Sequence, residues 1–134
     1  MRHVSRVAAA AGVAATVAVA GCGRLVDSYN CTGSVEPAVV VEIRDARTGA
    51  PLAAGAEGVV RDGAFVDVLR PAEASGPDSA SLYSRRAADE RPGTYAIEVR
   101  RAGYQTWTAT GVRVERGTCH VQTRRVLAAL VPLG

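Results

Sequence analysis

The stretch AVVVEIRDARTGAP, residues 38–51, decides the fold class because its two halves follow different patterns. Within residues 38–44 every second side chain is apolar on one face, and the opposite face carries Val40, Glu42 and Arg44. This period of two is typical of a β-strand that buries one face. Residues 45–51 are rich in turn-forming residues. The sequence therefore predicts a half-buried strand and a turn. The side chains predicted to face the core are Val39, Val41 and Ile43.

The same alternation recurs along the chain. Residues 58–69 predict a β-hairpin around Asp62-Gly63, a pair suited to the positive φ angles of a type I′ turn. Residues 94–100 predict a strand with Tyr95, Ile97 and Val99 turned inward. Further strands are predicted at 104–109, 111–115 and 119–131.

The last of these runs has two interpretations. Its apolar positions shift from odd to even numbers, which predicts a β-bulge near Arg124-Arg125. Residues 124–130, RRVLAAL, could instead be helical, since Leu and Ala favour helices.

Short strands separated by turns, with no convincing amphipathic helix, predict an all-β fold. We expect an antiparallel β-sandwich of about seven strands. Residues 71–92 form the longest segment without a strand pattern and contain Pro, Gly, Ser and Asp. This segment is predicted to be a long surface loop, either functional or mobile.

The N-terminus has the layout of a secretory signal. Arg2 and Arg6 precede an apolar run over residues 7–20, which is shorter than the ~20 residues of a transmembrane helix. Residues 19–22, Val-Ala-Gly-Cys, resemble a bacterial lipobox, which implies a diacylglycerol thioether on Cys22. The alternative is ordinary signal cleavage that leaves Cys22 as a spare thiol. We therefore predict a signal peptide over 1–21, a lipidated cysteine and tether over 22–36, and a β-sandwich domain over 37–134.

Export also bears on charge and on the other two cysteines. Removing residues 1–21 leaves 14 arginines against 13 acidic residues and a net charge of +1, so nucleic acid is not a predicted partner. If Cys22 is acylated, an oxidising compartment favours a disulfide between Cys31 and Cys119. A metal site is disfavoured because the mature chain has one histidine, His120, and its side chain points away from that of Cys119 on a strand.

Four motifs carry a resemblance to a known family. The carboxypeptidase regulatory-like domains are resembled by residues 39–52 (VVVEIRDARTGAPL), 92–99 (PGTYAIEV), 101–104 (RAGY) and 112–114 (VRV). The resemblance covers residues 37–131 and implies a transthyretin-like (prealbumin-like) β-sandwich. It also implies a non-catalytic accessory or binding module of the bacterial cell envelope, and a disulfide between Cys31 and Cys119 would tie such a sheet together.

Catalysis is not predicted. A Ser-His-Asp site would have to use His120, none of the serines lies in a nucleophile elbow, and Asp89-Glu90 are expected to be solvated loop acids. No cofactor is predicted. A small extracytoplasmic hydrolase is the alternative, and it requires a pocket where His120 has a serine or an acid within hydrogen-bond reach. A structural subunit of an envelope complex is the other alternative, which requires long edge strands without proline or charged residues.

A binding surface is predicted from the aromatic and arginine residues near the 71–92 loop, because such residues are enriched at binding hot spots. Its partner would be an envelope protein or a carbohydrate. Structural roles remain the alternative: the aromatics could pack at the edge of the core and the arginines could simply be solvated. The residues concerned are Tyr83, Arg85, Arg86, Tyr104 and Trp107.

Overall fold

The computed structural model describes residues 29–72 and 80–134. Within these residues the chain forms eight β-strands and one single-turn helix. The strands are β1 (Pro37–Asp45), β2 (Glu57–Asp62), β3 (Phe65–Val68), β4 (Arg70–Pro71), β5 (Ser84–Asp89), β6 (Gly93–Arg100), β7 (Trp107–Val114) and β8 (Arg124–Leu130), and the helix is α1 (Ala80–Tyr83). The predicted signal peptide and Cys22 lie outside the described residues.

The strands form two four-stranded sheets, so the predicted all-β sandwich is confirmed. One sheet has the order β4-β5-β1-β8 and the other has the order β3-β2-β6-β7. All pairs are antiparallel except β1 with β8, which run parallel. The core lies between the inner faces of the two sheets and is built mainly of Val, Ala, Ile and Leu.

Strand β1 lies between β5 and β8 in its sheet, and the predicted burial of its inner face is confirmed. Val39, Val41 and Ile43 are each completely buried. Its parallel partner β8 pairs Val41 with Val126, and this register turns Ala128 and Leu130 into the core. Residues 124–130 are therefore a strand, and the helical alternative is wrong because period-two burial against β1 outweighs the helix propensity of Leu and Ala.

The predicted hairpin is present, but its turn is displaced by one residue. Asp62 pairs with Phe65, which leaves Gly63 and Ala64 as the two-residue loop. Gly63 has a φ of 56°, whereas Ala64 does not have a positive φ. This fits a type II′ turn rather than the predicted type I′ turn centred on Asp62-Gly63. Asp62 stays in the strand and its carboxylate accepts a hydrogen bond from Arg91 at 2.7 Å.

The central strand β6 confirms the inward positions predicted for Tyr95, Ile97 and Val99, which are all buried. Its neighbour β7 is one continuous strand, although two were predicted over 104–115. The register of β6 with β7 shifts between Tyr95 and Ile97, and Gly111 on the β7 side has a φ of 70°. A glycine in this conformation is typical of a β-bulge, so the glycine that suggested a break is the bulge of one strand.

The phase shift predicted as a bulge near Arg124-Arg125 is a change of sheet. Arg116 bridges Val121 across the turn that follows β7, and the chain then enters β8 in the opposite sheet. Val121 is buried before the chain crosses to the opposite sheet, and Ala128 and Leu130 are buried after it has crossed. The apolar phase changes because the chain approaches the core from a different sheet.

Residues 71–92 do not form one long loop. They contain the end of β4, the helix α1 and the strand β5, while residues 73–79 lie outside the described part of the chain. Strand β5 pairs with both β4 and β1 and buries Ala87 and Ala88. Its sequence, SRRAAD, has no β-branched alternation, so its strand conformation comes from pairing with β1 rather than from local propensity.

The long edge strands carry charged or irregular positions. Strand β8 begins with Arg124 and Arg125, and β7 contains Arg113 and the bulge at Gly111. Charges and bulges at sheet edges hinder pairing with another chain. The hypothesis of a subunit that docks by edge pairing gains no support from these two strands.

Candidate functional site: a histidine cluster beside the disulfide

Cys31 and Cys119 lie within disulfide-bonding distance, with their Cα atoms 5.4 Å apart and a sequence separation of 88 positions. The pair connects the segment before β1 to the turn between β7 and β8. A cysteine pair in this geometry indicates an oxidising, extracytoplasmic location. It also brings together the residues that follow each cysteine, Thr32 and His120.

His120 has a partner on each ring nitrogen. Its Nδ1 lies 2.6 Å from Glu90 Oε1, and its Nε2 lies 3.2 Å from Thr32 Oγ1. Thr32 Oγ1 is also 2.8 Å from Ser34 Oγ. A neutral ring that donates from Nδ1 to Glu90 leaves Nε2 free to accept the Thr32 hydroxyl proton. We call Thr32, His120 and Glu90 the histidine cluster.

The carboxylate of the histidine cluster is held firmly in its charged form. Glu90 Oε1 accepts the backbone N–H of Glu36 at 2.8 Å in addition to its contact with His120. These two hydrogen bonds, the one from Glu36 first, lower the pKa of Glu90 below its ordinary value of 4.5. The expectation that Asp89 and Glu90 are solvated loop acids is wrong, since Asp89 also forms an ion pair with Arg70 at 3.0 Å.

The backbone around Glu90 is unusual. Ala88 has a φ of 58° and Glu90 has a φ of 53°, a region that non-glycine residues seldom adopt. The backbone N–H of Glu90 donates to Glu36 O at 2.9 Å, which fixes this turn against the segment before β1. The strained turn places the Glu90 carboxylate within hydrogen-bond distance of His120 Nδ1.

The histidine cluster has the order of groups found in hydrolytic relays: hydroxyl, imidazole and carboxylate. The imidazole is mostly covered, with its side chain 22% exposed, whereas Thr32 is exposed. The cluster thus supplies the acid that the hydrolase alternative requires beside His120. A groove elsewhere on the domain does not include His120, so it does not provide the pocket that this alternative also requires.

This groove has a volume of about 550 Å³. A second open groove of about 420 Å³ adjoins it, and the two share Gly55, Glu57 and Arg100. The first groove is also lined by Arg85 and the second by Tyr104. We call this pair the twin grooves. They present both arginine and glutamate side chains beside glycine backbone.

The structure distributes the predicted binding surface over both sheets. Arg85 and Arg86 belong to β5 and Tyr83 ends α1, whereas Tyr104 precedes β7 and Trp107 begins it. Arg85 donates two hydrogen bonds to Ala53 O, at 2.9 and 2.6 Å. The guanidinium carbon of Arg44 lies 4.7 Å from the centre of the Tyr83 ring, and Arg86 lies 3.9 Å from Asp89. Of the five, Arg85 and Tyr104 line the twin grooves.

The two aromatics near β7 have structural contacts. Tyr104 and Trp107 are partly buried and pack against the core. The Tyr104 hydroxyl donates to Asp45 Oδ2 at 2.9 Å, which raises the pKa of Tyr104. Asp45 also accepts the backbone N–H groups of Thr48 and Arg47, and these bonds hold its pKa below the ordinary value. Tyr104 therefore fastens the turn after β1 to the opposite sheet.

Sequence reasoning did not single out Thr32 or the pairing of Glu90 with His120. The available signal was adjacency: Thr32 follows Cys31 and His120 follows Cys119, so a disulfide prediction also implies that these two residues are near each other. Glu90 could not be found in this way, because only the turn at Ala88–Glu90 brings it to His120.

Among residues 29–72 and 80–134, no group of three or more His, Cys, Asp or Glu side chains is arranged to hold a metal ion. No helix in that part of the chain is long and apolar enough to cross a membrane.

Comparison of the whole sequence with protein-family models and with curated proteins found no match.

Proposed function

We propose that this chain is an exported bacterial lipoprotein whose β-sandwich is a non-catalytic binding module, similar to the carboxypeptidase regulatory-like domains. The observation that carries the proposal is the proximity of Cys31 and Cys119. If these two cysteines pair, Cys22 is the odd thiol, and it stands directly after the small residues of the lipobox-like segment. Lipidation gives that thiol a use.

The twin grooves are the proposed binding site of this module. Arg85 and Arg100 provide donors, Glu57 and Glu98 provide acceptors, and Val59 and Val68 provide apolar surface beside them. This mixture suits a polar polymer of the envelope, either an extended polypeptide or a carbohydrate, rather than a strongly charged ligand. Gly58 in β2 lies so close to β6 that an added Cβ would be 2.4 Å from the Glu98 carbonyl oxygen.

Fractionation of cells that express the wild type and Cys22→Ser tests the membrane anchor. We expect the wild type in the membrane fraction and the variant in the soluble extracytoplasmic fraction. Cys31→Ser is the matched control, because it removes a thiol from the same N-terminal region and should remain in the membrane fraction. Recovery of Cys22→Ser with the membranes would contradict the proposal.

A second candidate function, hydrolysis of an ester or amide, is favoured by one observation, the histidine cluster. In this mechanism Thr32 Oγ1 attacks the carbonyl carbon while His120 Nε2 accepts its proton. The imidazolium then protonates the leaving alcohol or amine, and water releases the acyl group from Thr32. Glu90 would hold the ring in the required tautomer.

Assays with short-chain p-nitrophenyl esters separate this candidate from the binding module. If the cluster is catalytic, Thr32→Ala and His120→Ala each abolish turnover, and Ser34→Ala, the neighbouring hydroxyl, retains it. If the protein is a binding module, the wild type gives no turnover above the rate of the Thr32→Ala variant.

A further inference from the structure

Three exposed arginines at one end of the sandwich have no acidic partner within the part of the chain that the structure describes. Arg116 follows β7, and Arg124 and Arg125 open β8. Among the described residues none of the three takes part in an ion pair. Nearby acids are already engaged: Arg113 lies 3.1 Å from Glu115, and His120 binds Glu90. We call Arg116, Arg124 and Arg125 the arginine end.

The arginine end surrounds the point where the N-terminal segment is fastened to the domain. Arg116 bridges Val121 across the turn that contains Cys119, and Cys119 is paired with Cys31. Arg124 and Arg125 lie opposite Val39 and Val40, close to where β1 begins. The chain that leads back to Cys22 therefore leaves the domain at the arginine end.

The length of this chain limits how far the domain can stand from a lipid on Cys22. Cys31 stands nine positions after Cys22, and this stretch spans at most about 30 Å when fully extended. Tyr29 and Val35, on either side of Cys31, are 66% and 56% exposed. Tyrosine is enriched where membranes meet water, so this segment suits the headgroup region.

We infer that the arginine end docks on the anionic phospholipid headgroups of the membrane that holds the lipid anchor. This inference rests on the proposed lipidation of Cys22. An anionic membrane surface attracts each arginine electrostatically. This attraction decays over a Debye length, about 10 Å at 0.1 M salt. The short tether holds the domain within about 30 Å of the lipid, so the three arginines can come within that range of the headgroups.

Docking in this way fixes which part of the domain faces away from the bilayer. Strand β6 begins at Gly93, opposite Val114 near the arginine end, and finishes at Arg100, which lines both of the twin grooves. Its eight residues extend for roughly 25 Å. The twin grooves are then directed to the aqueous side, where they can reach a partner.

Hydrogen exchange of the purified full-length lipoprotein in vesicles tests this orientation. One set of vesicles contains phosphatidylglycerol with phosphatidylcholine, and the other contains phosphatidylcholine alone. We expect amides of residues 116–125 to exchange severalfold more slowly on the anionic vesicles at low salt, and the difference to disappear at high salt. The triple variant R116Q/R124Q/R125Q should show no difference between the two sets.

A charge-matched triple variant, R44Q/R47Q/R61Q, is the control, because its three arginines lie in β1, in the turn after β1 and in β2, and it loses the same net charge. It should keep the slower exchange on anionic vesicles. Equal exchange of residues 116–125 on both vesicle sets by a protein that carries the lipid would overturn the inference and leave the anchor intact. Absence of the lipid in the intact mass would overturn both.

Discussion

Removing the disulfide between Cys31 and Cys119 is expected to lower the stability of the domain more than any single surface change. The two cysteines are 88 residues apart, and opening a loop of that length costs about 4.5 kcal/mol in the chain-entropy model. A domain of this size has a free energy of unfolding of roughly 5–15 kcal/mol. The double variant C31S/C119S should therefore remain folded only marginally, with Tm lowered by roughly 20 °C.

Most of this effect should arise in the unfolded state. Cys31 is exposed and lies before β1, so few folded-state contacts depend on it besides the hydrogen bond between Thr32 and His120. An unfolded chain without the cross-link is less compact, and the urea m value should rise along with the loss of stability. Circular dichroism of heat and urea unfolding in one detergent buffer measures both quantities.

Two comparisons make this prediction specific. Cys22→Ser, which removes a thiol outside the predicted domain, should leave Tm and the m value unchanged. Reduced wild type should match the double variant. A C31S/C119S protein that melts within a few degrees of the wild type, with the same m value, would refute the reasoning that this bridge constrains the chain.

Three further changes test the packing and the electrostatics. Leu130→Ala should lower the free energy of unfolding, measured in urea, by about 2–5 kcal/mol because Leu130 is completely buried. Leu127→Ala, at a position 56% exposed in the same strand, should lower it by less than about 0.5 kcal/mol. Equal losses would contradict the register of β8. Gly58→Ala should cost about 1–3 kcal/mol because its Cβ would meet the Glu98 carbonyl, whereas Gly33→Ala, with no atom within 4 Å, should be neutral. The pKa of Glu90 is lower in the folded state, so its stabilisation is present at neutral pH and is lost as pH falls below 4.5. Glu90→Gln should flatten the acid limb of a stability profile measured from pH 7 to acid, and an unchanged limb would count against the hydrogen bonds that Glu90 accepts from Glu36 and His120.

The sequence predicted those parts of the fold that rest on period-two burial. The inward positions of β1 and β6 follow directly from alternation, because each strand packs one face on the core. Alternation carries no information on which strands pair, so the parallel alignment of β8 with β1 could not be foreseen. Strand β5 was missed because its two arginines and two alanines have no strand propensity of their own.

The candidate site was predictable only where one residue follows another in the chain. A disulfide between Cys31 and Cys119 already places Thr32 near His120, yet the contact with Glu90 depends on a turn with positive φ at Ala88 and Glu90. Neither residue is a glycine, so the residue types at these two positions do not predict a positive φ. The twin grooves likewise depend on how the ends of β2 and β6 lie beside Arg85 and Tyr104.

The central claim, an exported lipoprotein closed by one disulfide, is tested most directly by the intact mass of the protein extracted from membranes. We predict a chain that begins at Cys22, carries added acyl mass and is two hydrogens lighter than the dithiol form. A chain that keeps residues 1–21, a mature chain without acyl mass, or free thiols at Cys31 and Cys119 would contradict the account.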